Sequence, residues 1–403
     1  MKIINAEVIV CSPGRNFVTL KIETDSGIYG LGDATLNGRE LAVATYLQEH
    51  LIPCIIDRDP FDSEDIWQYL YRGVYWRRGA VNMTAIGAID MALWDIKGKA
   101  LDVPVYKLLG GKSRHRLLGY THAQGKDTDE TLQKISDTLK KGFKAVRVQS
   151  GIPGIEKIYG IAKDEGAYEP AIKGSRPDEE TWNTEKYLNH IPKLFQRVRK
   201  EFGEDVQLLH DAHHRLTPIE AARLGKELEP FHLFWLEDTV AAENQEGFEI
   251  IRRHTTTPLA VGEIFNTIYD CHHLITTQSI DYIRMTVAHG GGLTPMLKVA
   301  NLASIYHVRT GCHGPSDLSP INLAACLHFG TAVNNFGIQE YMGYDPQTSN
   351  VFSFTHRFED GHFIMNDEAG LGVDFDFEKV KNIPYKQAFL PVNRLEDGTL
   401  YHW

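Results

Sequence analysis

Three acidic residues, Asp211, Glu237 and Glu263, each close an apolar run (VQLLHD, FWLE and LAVGE) and follow one another at intervals of 26 residues. An apolar run that ends in an acid reads as a buried strand delivering a carboxylate to its tip. On consecutive parallel strands the three would meet at one rim, where they repel one another and lose hydration. A hard divalent cation resolves that conflict, and an all-oxygen set with room for water or substrate favours Mg²⁺ over zinc. The alternative, that each acid caps the next helix or pairs with a surface lysine, suits any one of them better than three at matched strand ends. No HExxH or paired Cys/His spacing supports zinc, and His210, His213 and His214 are a weaker ligand set than three carboxylates.

The elements that must position these acids repeat. Between residues 117 and 342 eight β-rich runs (117–123, 144–150, 206–213, 233–239, 259–264, 280–287, 308–314 and 337–342) alternate with amphipathic stretches such as 218–227 and 294–306. Eight strand–helix repeats over about 250 residues predict an α/β fold of the TIM (β/α)-barrel type. A doubly wound sheet is the competing fold, but Gly30-Leu31-Gly32 lacks the third glycine and the following helix that a dinucleotide site needs. Before the barrel, residues 1–36 predict an antiparallel meander with a turn at Asp25-Ser26-Gly27, and residues 38–111 turn helical. The stretch 84–100, apolar on most sides, predicts a buried helix. The expected division is an α+β capping domain over 1–115, the barrel over 116–365, and a segment over 366–403 that packs back on the capping domain. A long Gly-, Pro- and Tyr-rich connection at 151–183 follows the second barrel strand, so it should project from the face where such barrels do their chemistry.

Composition bounds the partners. Of 403 residues 42% are hydrophobic and 24% charged, an ordinary globular balance, and a net charge of −11 argues against nucleic acid or an anionic membrane as partner. The first strand has neither an apolar block nor a cleavage site, no apolar run reaches about 18 residues, and the five cysteines show no CxxC pair. Together these point to the cytoplasm.

The order Asp, Glu, Glu on barrel strands three, four and five beneath an α+β cap resembles the enolase superfamily. Within it, HDAHHRLTPIEAA, FWLED, AENQE, PLAVGEIFN, RTGCHGPSDLSP, GIQEYM and RLEDGTLYHW resemble the mannonate dehydratase subgroup, over essentially the whole chain. The resemblance implies one Mg²⁺ per site, proton abstraction alpha to a carboxylate, and loss of the β-hydroxyl from an acid sugar. Where many superfamily members carry a Lys-x-Lys base, this chain reads Arg147-Val148-Gln149, which argues against a racemase or cycloisomerase. The subgroup implies instead Tyr159 as base, with Arg147 favouring its phenolate. His213 lies two residues beyond Asp211, so in an extended chain both side chains face the metal, and His213 becomes the acid for the leaving hydroxyl. His214 should then point away. Asn37, His122, Arg284, His313, Asp317 and Glu340 match substrate-holding positions of the subgroup, Trp76 and Trp403 are candidates to close the site, and a homo-oligomer is implied.

Two departures bear on efficiency. Pro315 follows His313 and Gly314 where efficient mannonate-dehydrating relatives carry a small alanine, and Thr239-Val240 stands where relatives often have proline. A fixed φ and a missing N–H at 315 would displace His313 or Asp317. The expectation is therefore a low-efficiency dehydratase of D-mannonate, and of D-gluconate, giving 2-keto-3-deoxy-D-gluconate. The alternative is a sugar-acid-binding or regulatory protein that kept the scaffold without useful turnover.

Overall fold

The computed structural model describes residues 1–156 and 176–402. Strands β1 (Ile3–Cys11), β2 (Phe17–Thr24) and β3 (Tyr29–Asp33) form the antiparallel meander, turning at Asp25–Gly27. Val18, Leu20 and Ile22 alternate along β2 and are fully buried in a core shared with the helix Ala80–Ala100. That helix is buried almost all round because the meander covers one side and the barrel the other, which explains its lack of a polar stripe.

The barrel comprises β4 (Leu117–Gly125), β5 (Ala145–Ser150), β7 (Gln207–Asp211), β8 (Trp235–Glu237), β9 (Leu259–Val261), β10 (Tyr282–Met285), β11 (Arg309–Cys312) and β12 (Phe336–Glu340). A short strand between β5 and β7, β6 (Glu179–Trp182), lies outside it. The eight pair in parallel in that order, and β12 returns to β4 to close the cylinder. Each of the eight runs singled out in the sequence supplies one strand. Tyr120, Ala145, Leu209, Trp235, Ala260, Tyr282 and Ile338, one from each of seven strands, form a separate apolar cluster. On the eighth, Gly311 leaves space for the Trp235 ring, which would come within 3.0 Å of any Cβ there. Tyr120 and Tyr282 meet the Trp235 ring edge-on, at 5.7 and 5.1 Å between centroids, and such pairs contribute about 0.5–1.5 kcal/mol beyond area burial. The result is a solid plug.

Polar clasps join the capping unit to the barrel. Asp90 accepts from the backbone N–H of Thr294 (3.0 Å) and from its hydroxyl (2.5 Å), at the start of the barrel helix Leu293–Ile305. Asp33 accepts from Ser319 N–H at 2.7 Å, and the Trp67 indole donates to the Gly291 carbonyl at 2.8 Å. The segment after the barrel divides its contacts. The Tyr29 hydroxyl donates to Asp374 (2.7 Å) and the Asn16 amide to the Lys386 carbonyl (2.6 Å), so this part lies on the capping unit. The closing hairpin, Val392–Leu395 with Leu400–Tyr401, instead pairs in parallel with β6. That corrects the expectation for the tail PVNRLEDGTLYHW. Its alternating Val392, Arg394 and Tyr401 can complete any open strand edge, and β6 offers one.

Candidate active site

Side chains two residues apart on a strand share a face. Two positions beyond the plug, toward the C-terminal ends of the strands, stand His122, Arg147, Asp211, Glu237, Gly262, Arg284, His313 and Glu340. An apolar layer is thus capped by a layer in which seven of eight strands offer a titratable group. Asp211 and Glu237 lie side by side in register. Gly262 supplies no side chain and adopts φ 142°, a conformation that favours glycine, after which Glu263 is aimed inward from beyond the end of β9.

The layer is tightly ion-paired. Arg147 Nη1 donates to Asp211 Oδ2 (2.8 Å) and Glu237 Oε1 (3.0 Å). Arg284, fully buried, donates to Glu263 Oε2 (2.5 Å), Glu340 Oε2 (2.6 Å) and the Tyr120 hydroxyl oxygen (3.0 Å). Arg147 Nη2 lies 3.1 Å from His122 Nδ1, and since a guanidinium only donates, His122 must donate from Nε2 to Glu340 Oε1 at 2.6 Å. The Trp235 indole rises from the plug to donate to Glu237.

Burial decides several protonation states. It pushes Glu237 up to about 8, aided by Asp211 and Glu340 against the two arginines, and it raises Asp238 well above the usual carboxylate range, with Glu263 adding to it. For Asp211, Glu263 and Glu340 burial alone would raise the pKa, but the surrounding histidines and guanidiniums outweigh it and hold them low. Burial holds His122 and His213 down to about 4, so both rings are neutral near pH 7.

Above this layer opens a cavity of about 820 Å³. The capping unit contributes Asn37 and Arg39, the barrel His122, Arg147, His213, Glu263, His313, Pro315, Asp317 and Glu340, and the tail Phe389–Val392. The Asn37 amide donates to Asp317 Oδ2 at 3.2 Å, a bridge from capping unit to barrel, and His313 Nε2 lies 3.6 Å from Glu263. Arg284 is beneath the wall, not on it. Trp76 is 84% exposed and is not among the lining residues. Tyr159 and Trp403 lie outside the described residues.

His213 reaches the site by a route that differs from the extended chain expected. Its φ is +54° and that of His214 +62°, so the chain turns left-handed directly after β7. The turn is held by the His213 N–H donating to Asp211 Oδ1 at 2.6 Å, and it leaves His213 Nε2 3.9 Å from both Asp211 and Glu263. Histidine and aspartate enter this region more readily than most side chains, which is the only local hint of it.

Sequence reasoning missed Asp238. Fully buried at φ +47°, it stands between two groups whose ligand atoms all lie within 4.8 Å: Asp211–Glu237–Asp238 and His214–Asp238–Glu263. The signal was the second acid in FWLED. Five carboxylates (Asp211, Glu237, Asp238, Glu263, Glu340) share this ion-paired cluster with two guanidiniums, and Asp238 Oδ2 is buried without a hydrogen-bond donor. Ionised together, the five carboxylates carry more negative charge than the two guanidiniums offset, and such an all-oxygen donor set fits a hard divalent cation, with Asp211, Glu237 and Glu263 as the residues to hold it.

Comparison with known proteins agrees with this architecture. Residues 10–110 match the mandelate racemase / muconate lactonizing enzyme N-terminal domain, and residues 131–380 match the enolase C-terminal domain-like family. The D-galactonate dehydratase family member RspA of Halomonas elongata is 62% identical over 404 residues, covering 100% of both chains. A D-mannonate dehydratase of Sphingomonas sp. is 59% identical over 402 residues, again covering 100% of each. An enolase from Pantoea ananatis, solved with bound D-gluconate and Mg, superposes with a TM-score of 0.92 at 37% identity, covering 100% of this chain and 99% of that one. With the capped barrel, the acids on consecutive strands and relatives matching from end to end, this chain belongs to the enolase superfamily, in its mandelate racemase / muconate lactonizing enzyme family and the dehydratase group of these relatives.

Proposed function

We propose that this protein is a Mg²⁺-dependent dehydratase of acid sugars, taking D-mannonate, and D-gluconate as a further substrate, to 2-keto-3-deoxy-D-gluconate at low efficiency. The observation that carries the proposal is the polar layer on the barrel plug: Asp211 and Glu237 in register, with Glu263 aimed in beside them under a cavity lined from both units. The names of the relatives, and the gluconate and Mg in the Pantoea ananatis structure, support the substrate class.

A divalent cation held by Asp211, Glu237 and Glu263 supplies positive charge against the substrate carboxylate and the enediolate that follows proton loss. Tyr159 is the proposed base. Arg147, whose charge the carboxylates around it lock in place despite burial, favours the phenolate. His213 is the proposed acid for the departing hydroxyl; held neutral by burial, it must take up a proton within the site before giving one. Asn37, His122, His313, Asp317 and Glu340 read the hydroxyls, while Arg284 orients Glu263 and Glu340 from below. The partner is a small-molecule acid sugar rather than nucleic acid or membrane. No described helix is long and apolar enough to cross a membrane. The same proposal places the protein in the cytoplasm as a homo-oligomer.

Pro315 lines the cavity between His313 and Asp317, which favours low efficiency and, as a second reading, a sugar-acid-binding protein without useful turnover. A displacement of about 1 Å costs roughly a hundredfold in rate. The test is turnover of six- and five-carbon aldonic acids with Mg²⁺. Tyr159→Phe and His213→Asn should abolish it while leaving Mg²⁺ bound, and Pro315→Ala should raise mannonate turnover. Wild-type rates in either of the first two variants refute the assigned roles, and binding without turnover in the wild type selects the second reading.

A further inference from the structure

His214 was expected to turn away from the site. Its side chain is nine-tenths buried and lines the cavity wall. Nδ1 lies 2.9 Å from the Val240 carbonyl oxygen, which only accepts, so the ring proton sits on Nδ1 and Nε2 carries a lone pair. That lone pair has no hydrogen-bond partner and faces Asp238 Oδ1 at 3.7 Å. Asp238 Oδ1 accepts only the Gly262 N–H, at 3.4 Å, and the other oxygen lacks a donor, its nearest cation being Arg284 Nη1 at 3.5 Å. Two buried acceptors face each other with nothing positive between them, and an Oε of Glu263 completes a triangle whose ligand atoms all lie within 4.8 Å.

Such opposition is costly unless a second proton or a metal ion lies between the groups. The bond on the far side of the ring, from Nδ1 to the Val240 carbonyl, favours the metal. A metal-ligating histidine characteristically donates its other ring N–H to a carbonyl, which fixes the tautomer and aims the lone pair. The charge count agrees. Once a bound metal has displaced the protons that burial keeps on Glu237 and Asp238, five ionised carboxylates and two guanidiniums leave three negative charges in the ion-paired cluster, one divalent ion leaves one, and an arriving sugar-acid carboxylate restores two.

We propose a second divalent-cation position, held by His214 Nε2, Asp238 and Glu263, beside the Asp211–Glu237–Glu263 position and sharing Glu263 with it. Its imidazole selects Mn²⁺ or another nitrogen-accepting first-row ion over Mg²⁺. The proposal rests on the metal reading of the first position only through that shared carboxylate. Loaded, it puts extra positive charge on the cavity wall that an acid sugar faces.

The test is metal counting by mass spectrometry on the full chain, first saturated with Mg²⁺ and then titrated with Mn²⁺, with pulsed electron paramagnetic resonance on the bound Mn²⁺. Two ions per chain are expected, with a ¹⁴N coupling that survives His213→Asn and disappears in His214→Gln. Asp238→Asn, its fold checked by circular dichroism, should bind one ion instead of two. One ion per chain in the wild type, or a ¹⁴N coupling that persists in His214→Gln, overturns the second position and leaves the first intact. No bound ion at all overturns both.

Discussion

Replacing Asp90 by Asn should change how stability depends on pH, because a carboxylate is buried where the capping unit meets the barrel. Only 2% of Asp90 is exposed, and both its oxygens accept from Thr294 at the start of Leu293–Ile305. Burial nevertheless raises its pKa from 3.8 to about 6, with the Thr294 bonds and Lys97 opposing. A carboxyl whose folded pKa is raised contributes stability that is full below about pH 3.8 and is lost as pH rises through about 6. Linkage over those two values gives a loss of about 1 kcal/mol between pH 5 and pH 7, and about 3 kcal/mol over the whole titration. Asp90→Asn keeps one acceptor oxygen for Thr294 and cannot ionise, so its stability should lack that slope. Urea unfolding of both proteins at pH 5 and pH 7, followed by tryptophan fluorescence, reads the difference directly. The wild type should lose about 1 kcal/mol relative to the variant on going from pH 5 to pH 7. Parallel pH dependences would show that Asp90 titrates normally and that burial does not control this clasp.

Trp235→Phe keeps most of the plug's volume but removes the indole donor from Glu237, and should weaken Mg²⁺ binding about 10- to 100-fold by calorimetry, whereas an unchanged Kd would mean the bond does not orient the ligand. Gly262→Ala should destabilise by about 1–3 kcal/mol in urea unfolding, since φ 142° excludes the new methyl, which would also press on the Arg284 backbone 3.1 Å away. Burial and the neighbouring His356 hold His328 well below its ordinary pKa, so its contribution is full above about 6.5 and is lost as pH falls. The wild type should therefore lose melting temperature on acidification from pH 7 to pH 5 more steeply than His328→Gln, and equal slopes would refute the assignment.

How much was legible follows from which rules act locally. The eight strands were readable because each is an apolar run bounded by turns, and the rung of Asp211 and Glu237 because a period of two fixes which residue faces in. Glu263 was found at the right rim but for an incomplete reason: it lies past Val261 and depends on the turn at Gly262. The left-handed turns at His213, His214 and Asp238 left almost no trace, since none is a glycine and the His213 N–H bond to Asp211 and the His214 N–H bond to the Asp238 carbonyl that hold them form only in the folded barrel. The pairing of Val392–Leu395 with β6 joins residues more than 200 positions apart, and no local period encodes that partner.

That last pairing also sets an order of events during synthesis. Every barrel stave is translated before Val392, so the cylinder can close while β6 still has a bare edge. Phe389–Val392, which form part of the cavity wall, arrive later, as Val392–Leu395 zips onto that edge. The nascent chain would thus hold its formed acidic layer beneath an unfinished rim, and the cavity wall would be complete only as the final step of folding rather than with barrel closure.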